Sequence, residues 1–404
     1  MIRATILVIL PFIAPSFVWA QAIKLNGSIS IENYQIKNVA DPIDAKDLIT
    51  KDYLDNKISD LDFRINEIEN SIDSDGDGIP NVIDTCPNTP NSDPVNEKGC
   101  SISQLNICWE KVSEITDYYS RIVEANNGKY YCNASNGNDD PIANNFYESM
   151  DLINWTPKDI QVPGKTHIAF GKDSYGRLFL STAHNGLYKS LDDGETWSYA
   201  NVGNGYGNGA LDFECDSQNN LYVGIGGAAR GLYISYDNGN TWINKVAGKD
   251  FVDIQTVINS QYTYAVNTNN ELWFSSNSGE NWNQVLSQPF SGKSIMIKSI
   301  SENIYVFCND GEIYESTNEM LDWSLYGKIV LDSSATNYNN NFVSYGSTWF
   351  VGYENNGLWM SVDDGVNWEK VEECISGSFK SLYKSNSTII VTTSNGIYKY
   401  NFEQ

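Results

Sequence analysis

Between residues 73 and 84 the chain reads Asp73-Ser74-Asp75-Gly76-Asp77-Gly78-Ile79-Pro80-Asn81-Val82-Ile83-Asp84. Carboxylates stand at positions 1, 3, 5 and 12 of that twelve-residue run, with glycine at position 6. Short acids alternating around a tight turn can wrap a hard cation, which takes about six to eight oxygens, and a main-chain carbonyl at position 7 supplies one more. The chemistry is calcium coordination, and the expected ligands are Asp73, Asp75, Asp77, Ile79 and Asp84.

An EF-hand would close on glutamate between two amphipathic helices. Here Pro80 follows the loop's seventh residue, and Asp84 leads into Cys86-Pro87 and then Gly99-Cys100. Residues 73–100 resemble a thrombospondin type 3 repeat. The resemblance implies a structural calcium site with a disulfide between Cys86 and Cys100; the plain alternative is an acidic linker. A single repeat of this kind implies a stiff joint rather than a calcium sensor.

Upstream, Leu54, Ile58, Leu61, Ile65, Ile68 and Ile72 step by 4, 3, 4, 3 and 4. That spacing predicts a coiled-coil seam over 54–72, and isoleucine at both seam positions favours three or four strands over two. So short a seam is marginal alone, and the competing reading is an amphipathic helix packed on its own domain. Residues 21–53 add a second pointer. Ile36-Lys37-Asn38-Val39-Ala40-Asp41-Pro42, then Asp44-Ala45-Lys46-Asp47 and Thr50-Lys51-Asp52-Tyr53-Leu54, are similar to a repeat of phage tail fibres and trimeric bacterial surface proteins. The resemblance implies a homotrimer. Ahead of it, Arg3, the apolar run Ala4 to Trp19 and the small-residue end at Ala20 read as a secretory signal over 1–20, so the mature protein is expected outside the cytoplasm, secreted or at the cell surface.

Behind the acidic run, over 101–404, a tryptophan returns at Trp109, Trp155, Trp197, Trp242, Trp282, Trp323 and Trp368, in steps of 46, 42, 45, 40, 41 and 45. Most copies share one phrase, best seen in Ser190 to Trp197, Ser235 to Trp242 and Ser361 to Trp368. A period of about 40 to 50 residues with strand-like pairs before each tryptophan marks a propeller of four-stranded blades. Its last strand pair, Thr388–Val391 and Gly396–Tyr400, has no tryptophan strand after it, while Cys108-Trp109-Glu110-Lys111-Val112 repeats the wording of Asn367-Trp368-Glu369-Lys370-Val371. The expected fold is therefore mainly β, a seven-bladed propeller closed by its own N-terminal strand, carried on a short coiled-coil stalk and a calcium-binding linker.

The repeated phrase resembles the Asp-box of sialidase-like and photosystem-assembly-factor-like propellers. The resemblance implies that Asp192, Asp237 and Asp363 hold hairpin turns, that Trp197, Trp242 and Trp368 wedge between blades, and that ligands bind on the opposite face. A sialidase needs three arginines for its substrate carboxylate and usually opens on an Arg-Ile-Pro phrase; the propeller has only Arg121, Arg177 and Arg230, and Arg121, in Ser120-Arg121-Ile122-Val123, lacks the proline. Arg177 and Arg230 each open a strand, where a solvent-facing end is expected. His167 and His184 are too few for a zinc site or a Ser-His-Asp arrangement. Two carboxylates some 6.5 to 9.5 Å apart would suffice for an inverting glycosidase, so that reading stays open.

Without Arg3, 25 basic residues face 51 acidic ones, which argues against nucleic acid or an anionic membrane as partner and suits divalent cations. No stretch after the signal is long and apolar enough to span a bilayer. Seven cysteines in an exported chain leave at least one unpaired, and spacing alone does not pair Cys108, Cys132, Cys215, Cys308 or Cys374. The long Asn- and Gly-rich loops opposite the boxes nominate Asp139, Asp140, Tyr206 and Arg230 for ligand binding. The expected function is non-catalytic recognition or adhesion, with a glycan or a surface protein as ligand. A secreted glycoside hydrolase and an assembly factor for exported proteins are the alternatives.

Overall fold

The structure is a computed structural model. It describes residues 51–69, 72–91, 93–105, 109–113, 119–134, 146–162, 167–182, 186–202, 209–300, 303–317, 322–333, 341–371 and 375–402. The expected signal at 1–20, nearly all of the tail-fibre-like stretch, and Asp139, Asp140 and Tyr206 lie outside the described residues. The chain divides into two compact units, 1–68 and 69–404.

In the first unit a helix spans Lys51–Glu69. It starts three residues earlier than the heptad spacing alone suggests, and Ile72 falls beyond its end. Leu54, Ile58, Leu61, Ile65 and Ile68 are 44 to 58% exposed. No described helix is long and apolar enough to cross a membrane.

The second unit is a seven-bladed β-propeller. Six sheets take their four antiparallel strands in chain order, and the seventh is completed by Glu110–Ser113, which pairs with Gly396–Asn401 through Glu110 opposite Lys399 and Lys111 opposite Tyr398. Closure by the N-terminal strand, legible from the repeated wording around Trp109 and Trp368, removes the open edge that an incomplete last blade would present.

Burial explains the strand chemistry. The second strands Leu178–Thr182, Leu221–Ile225, Thr263–Asn267 and Thr348–Tyr353 are buried at every residue, because neighbouring blades cover both faces. Outer strands such as Thr156–Pro157 and Ser198–Tyr199 are two residues long and exposed. Aromatic rings knit the seams between blades. Trp197 of blade 2 lies 6.0 Å from Phe146 of blade 1 and 6.2 Å from Phe170 of its own blade. Trp282 meets Tyr222 of the preceding blade at 6.4 Å, and Trp368 meets Phe307 at 6.3 Å. Each such pair adds roughly 0.5 to 1.5 kcal/mol beyond the apolar area it covers.

Around the axis, two inner strands carry a device that sequence reasoning missed. Asp212, in Ala210–Cys215 of blade 3, accepts a hydrogen bond from the Ile254 amide of blade 4 at 2.7 Å, and Asp253 accepts one from Ile297 of blade 5 at 2.8 Å. Both acids are buried, at register shifts in their strands. The signal was present as one acid between apolar residues at the same place in two successive repeats, Leu211-Asp212-Phe213 and Val252-Asp253-Ile254.

Strands alternate in direction, so two kinds of connection share each face of the propeller. The turns joining first to second and third to fourth strands lie on one face; the remaining loops lie on the other.

Candidate metal centre

Asp73, Asp75 and Asp77 each offer a carboxylate oxygen within 4.8 Å of the others. Local hydrogen bonds set their directions. The Gly76 and Gly78 amides donate to the two oxygens of Asp73 at 2.8 and 2.9 Å, Ile79 donates to Asp77 Oδ1 at 2.8 Å, and Thr89 donates to Asp75 Oδ2 at 2.8 Å. Both glycines have φ near that of a left-handed turn, +77° and +94°. Asn81 pins the turn by accepting from the Ser74 amide at 2.9 Å.

With both oxygens of Asp73 and one each of Asp75 and Asp77 held in this way, Asp75 Oδ1 and Asp77 Oδ2 remain buried and without a hydrogen-bond partner. Orphaned acceptors of this kind are rare because leaving one costs of order 1 to 3 kcal/mol, more for a charged group. Burial pushes the Asp77 carboxyl above its usual range, opposed by the Ile79 amide and reinforced by the charges of Asp75, Asp84 and Asp73. Asp75 is held below its usual range, chiefly by the Thr89 amide. A bound cation would relieve both the orphaned oxygens and the like-charge crowding. The donor set of short carboxylates fits calcium.

Of the other two sequence-derived ligands, Ile79 is fixed through its amide, and Asp84 stands outside the cluster of three. Asp84 Oδ1 accepts from the Cys86 amide at 2.7 Å. Gly99, at φ +76°, lies against it: a Cβ there would come 2.2 Å from Asp84 Oδ1 and 3.1 Å from Asp77 Oδ2. Only glycine permits that approach.

Cys86 and Cys100 form a disulfide, as the repeat resemblance implied. The segment after it packs on the propeller core. Cys100 is 4% exposed, and Ile102 and Leu105 pack against the core that holds Trp109, Phe350, Leu358 and Phe379. The Glu97 amide donates to Ser347 Oγ of blade 6 at 3.3 Å. Ser347 belongs to a first-to-second-strand turn, so Glu97 sits on that face.

The repeated turns occupy the same face. Asp192, Asp237 and Asp363 accept from the amide four residues on at 2.8, 2.8 and 2.9 Å. Ser190, Ser235 and Ser361 each accept from the glycine amide at 2.8 Å and donate to their own aspartate. Trp197 and Trp368 donate from Nε1 to that glycine's carbonyl at 3.2 and 2.7 Å, while Trp242 Nε1 is buried without a partner. In the shortened first copy Asp151 takes the aspartate's place, and amide and side-chain bonds from Asn154 bring its pKa down to about 2.

On the opposite face, Arg230 is half exposed, 3.7 Å from Asp250 Oδ2. Arg177 does not end at the solvent. Its side chain is 19% exposed and bonds the buried Asp173 at 2.5 Å, a pairing that the four-residue separation could have signalled. Cys132 and Cys308 are free and buried, and Cys215 is free and partly buried; burial raises all three thiols above their usual pKa. Where the inner strands end, Lys172, Glu214, Tyr383 and Lys384 border a channel opening of about 300 Å³.

No family model and no curated protein matches this chain. Solved structures do. A GH74 enzyme from Niastella koreensis is similar over 72% of the chain, at 16% identity and a TM-score of 0.53, the match taking up 44% of that enzyme. YCF48 bound to D1 peptide is similar over 73% of this chain and 96% of its own, at 12% identity and a TM-score of 0.55. The extracellular domain of BT4673, a putative one component system of B. thetaiotaomicron, is similar over 74% of this chain and 40% of its own, at 10% identity and a TM-score of 0.56. At these identities the likeness carries the fold alone. The class is the seven-bladed β-propeller, and this chain spans less than half the length of the GH74 and BT4673 chains.

Proposed function

We propose that this is an exported surface recognition protein whose propeller is a binding head, braced by calcium at Asp73, Asp75 and Asp77 and held as a trimer by the helix at 51–69. The observation that carries the reading is where the propeller's acids are engaged. Asp151, Asp192, Asp237 and Asp363 hold turns, and Asp212 and Asp253 tie blade to blade, so the named carboxylates serve the scaffold. A rigid ring with loops on two faces then presents a surface for holding a partner. The exposed Leu and Ile stripe of the helix has the heptad spacing that buries itself against copies of itself, and three heads together would raise avidity for a repeated ligand. The export reading rests on the N-terminal residues 1–20, and the Cys86–Cys100 disulfide suits an oxidising compartment.

A second reading, a glycan-cleaving enzyme, needs only two carboxylates ~6.5 to 9.5 Å apart, which a chain with 51 acidic residues could supply. One experiment separates the two. Mature protein with calcium is incubated over time on immobilised glycans and surface proteins, and both retained protein and ligand mass are read. Retention on ligands of unchanged mass supports a recognition head. Glycans losing mass would replace it with a hydrolase, and no retention on any ligand would remove the recognition reading altogether.

A further inference from the structure

In blade 4 a lysine and a carboxamide meet on one carboxylate oxygen. Phe251 opens the inner strand Phe251–Thr256 and pairs with Asn267, the last residue of the second strand Thr263–Asn267. Lys249 stands just ahead of Phe251 and Glu271 just beyond the turn that follows Asn267, so the strand pairing carries both to the Asn267 side chain. Lys249 Nζ and Asn267 Nδ2 each donate to Glu271 Oε2 at 2.5 Å. The Asn269 and Glu271 amides both donate to Asn267 Oδ1 at 3.0 Å. Asn267 is 1% exposed, Lys249 and Glu271 are partly buried, and the Trp273 ring lies 5.7 Å from Lys249 Nζ. The parts occur separately elsewhere in the ring. Blade 5 repeats the lysine–glutamate contact as Lys293 with Glu312, but there Ile295 pairs with Cys308, which stands where Asn267 does. Turns held by the same pair of amides use an aspartate at Asp173 and at Asp216. Blade 4 instead brings a carboxamide, which has a leaving group, to the lysine.

We infer that Lys249 and Asn267 form an isopeptide cross-link, with Glu271 carrying the protons. The lysine nitrogen attacks Asn267 Cγ; the new C–N bond forms and the Cγ–Nδ2 bond breaks. Lys249 enters as an ammonium with three protons and keeps one in the product amide. The other two pass through Glu271 to Nδ2, which leaves with its own two as ammonium, so atoms and charge balance with no oxidant or cofactor. A carboxylate that touches both nitrogens takes a proton from one and returns it to the other. The two main-chain amides on Oδ1 stand where negative charge develops as the amide carbon is attacked. Holding amine and amide on one oxygen turns an encounter into a local step. The bond closes the strand pair Phe251–Thr256 and Thr263–Asn267 at the end away from its hairpin turn. It restricts the unfolded chain as a disulfide does, in a form that reducing agents leave intact. The cross-link belongs to the scaffold and needs neither ligand, calcium nor trimer.

The test is a tryptic digest of the full folded chain, read by mass spectrometry after reduction. Trypsin cuts after Lys245, Lys249 and Lys293, and no basic residue lies between the last two. A lysine tied up in an amide is not cut, so the cross-link predicts one peptide of residues 246–293, lighter by one ammonia and silent in fragmentation between Lys249 and Asn267. Separate peptides 246–249 and 250–293 would overturn the proposal, as would an uncut peptide of full mass. The unsubstituted chain decides the bond whatever the variants do. Asn267→Ala is expected to restore cleavage at Lys249 completely, and a linked peptide in that variant would put the bond on another residue. Glu271→Gln is expected to slow linkage at least about tenfold in protein sampled at successive times after folding, and an undiminished rate would remove Glu271 from the chemistry.

Discussion

Two glycine substitutions in the acidic segment should separate calcium binding from backbone strain. Gly99 and Gly78 both sit at positive φ, +76° and +94°. An alanine at either position therefore carries the same left-handed penalty, roughly 1 to 2 kcal/mol. Their surroundings differ. The new methyl at Gly78 meets nothing within 4 Å, whereas at Gly99 it lands 2.2 Å from Asp84 Oδ1 and 3.1 Å from Asp77 Oδ2. Asp84 must then retreat by about 1 Å, several times the ~0.2 Å tolerance of a metal–ligand distance. If Asp77 and Asp84 serve the cation, Gly99→Ala should weaken calcium about tenfold or more while Gly78→Ala leaves the affinity nearly intact. With a dissociation constant on the order of 10⁻⁴ M, as in extracellular modules, ~5 mM calcium stabilises the fold by about 2.3 kcal/mol, and a tenfold loss brings that to about 1 kcal/mol. Calorimetric titration gives the affinities, and melting with calcium or chelator gives the linkage. Equal affinities for the two variants would refute the argument, and absence of calcium binding in the unsubstituted protein would remove the site.

Truncation of the closing strand's anchor, Trp109→Ala, takes away a buried ring 5.8 Å from Phe350 and 5.7 Å from Tyr400. It should cost about 3 to 5 kcal/mol in denaturant unfolding, and a loss under 1 kcal/mol would mean that the strand does not hold the ring shut. Light scattering on the mature chain should give three times the monomer mass, falling to one with Ile65→Asp and Ile68→Asp together; a monomer at micromolar concentration before substitution rules the trimer out. Asp151, at a pKa of about 2 against an ordinary ~3.9, contributes stability that is present above about pH 4 and lost as pH falls toward 2. Asp151→Asn should flatten the melting temperature over that window, and an unchanged slope would show that the turn's bonds do not control acid unfolding.

The blades were legible because each must bury both faces of its second strand, which imposes one wording on every repeat. The closure was legible because Trp109 and its neighbours copy the outer strand around Trp368. The Cys86–Cys100 pair followed from resemblance, whereas the docking of Ile102 and Leu105 on the propeller core did not, since two apolar residues in a polar stretch leave no period to read. Asp212 and Asp253 were hidden for the opposite reason: an acid inside an apolar strand looks like a solvent-facing alternation until the next blade's amide is seen beside it. Arg177 was misplaced because a strand-opening position says nothing of the buried acid one turn earlier.

Glu110–Ser113 leaves the ribosome before any complete blade does, and its partner Gly396–Asn401 leaves after the other six blades. The ring therefore cannot shut until the seventh blade has been made. Until then a row of unpaired amides and carbonyls stays available to any passing strand, and the contact that ends this exposure is among the longest-range in the molecule, which makes it slow. A chain built in this way keeps one edge open through most of the synthesis of its propeller. It also makes completion a checkpoint, because a product cut short anywhere before its final hairpin keeps a sticky edge that a quality-control protease can recognise.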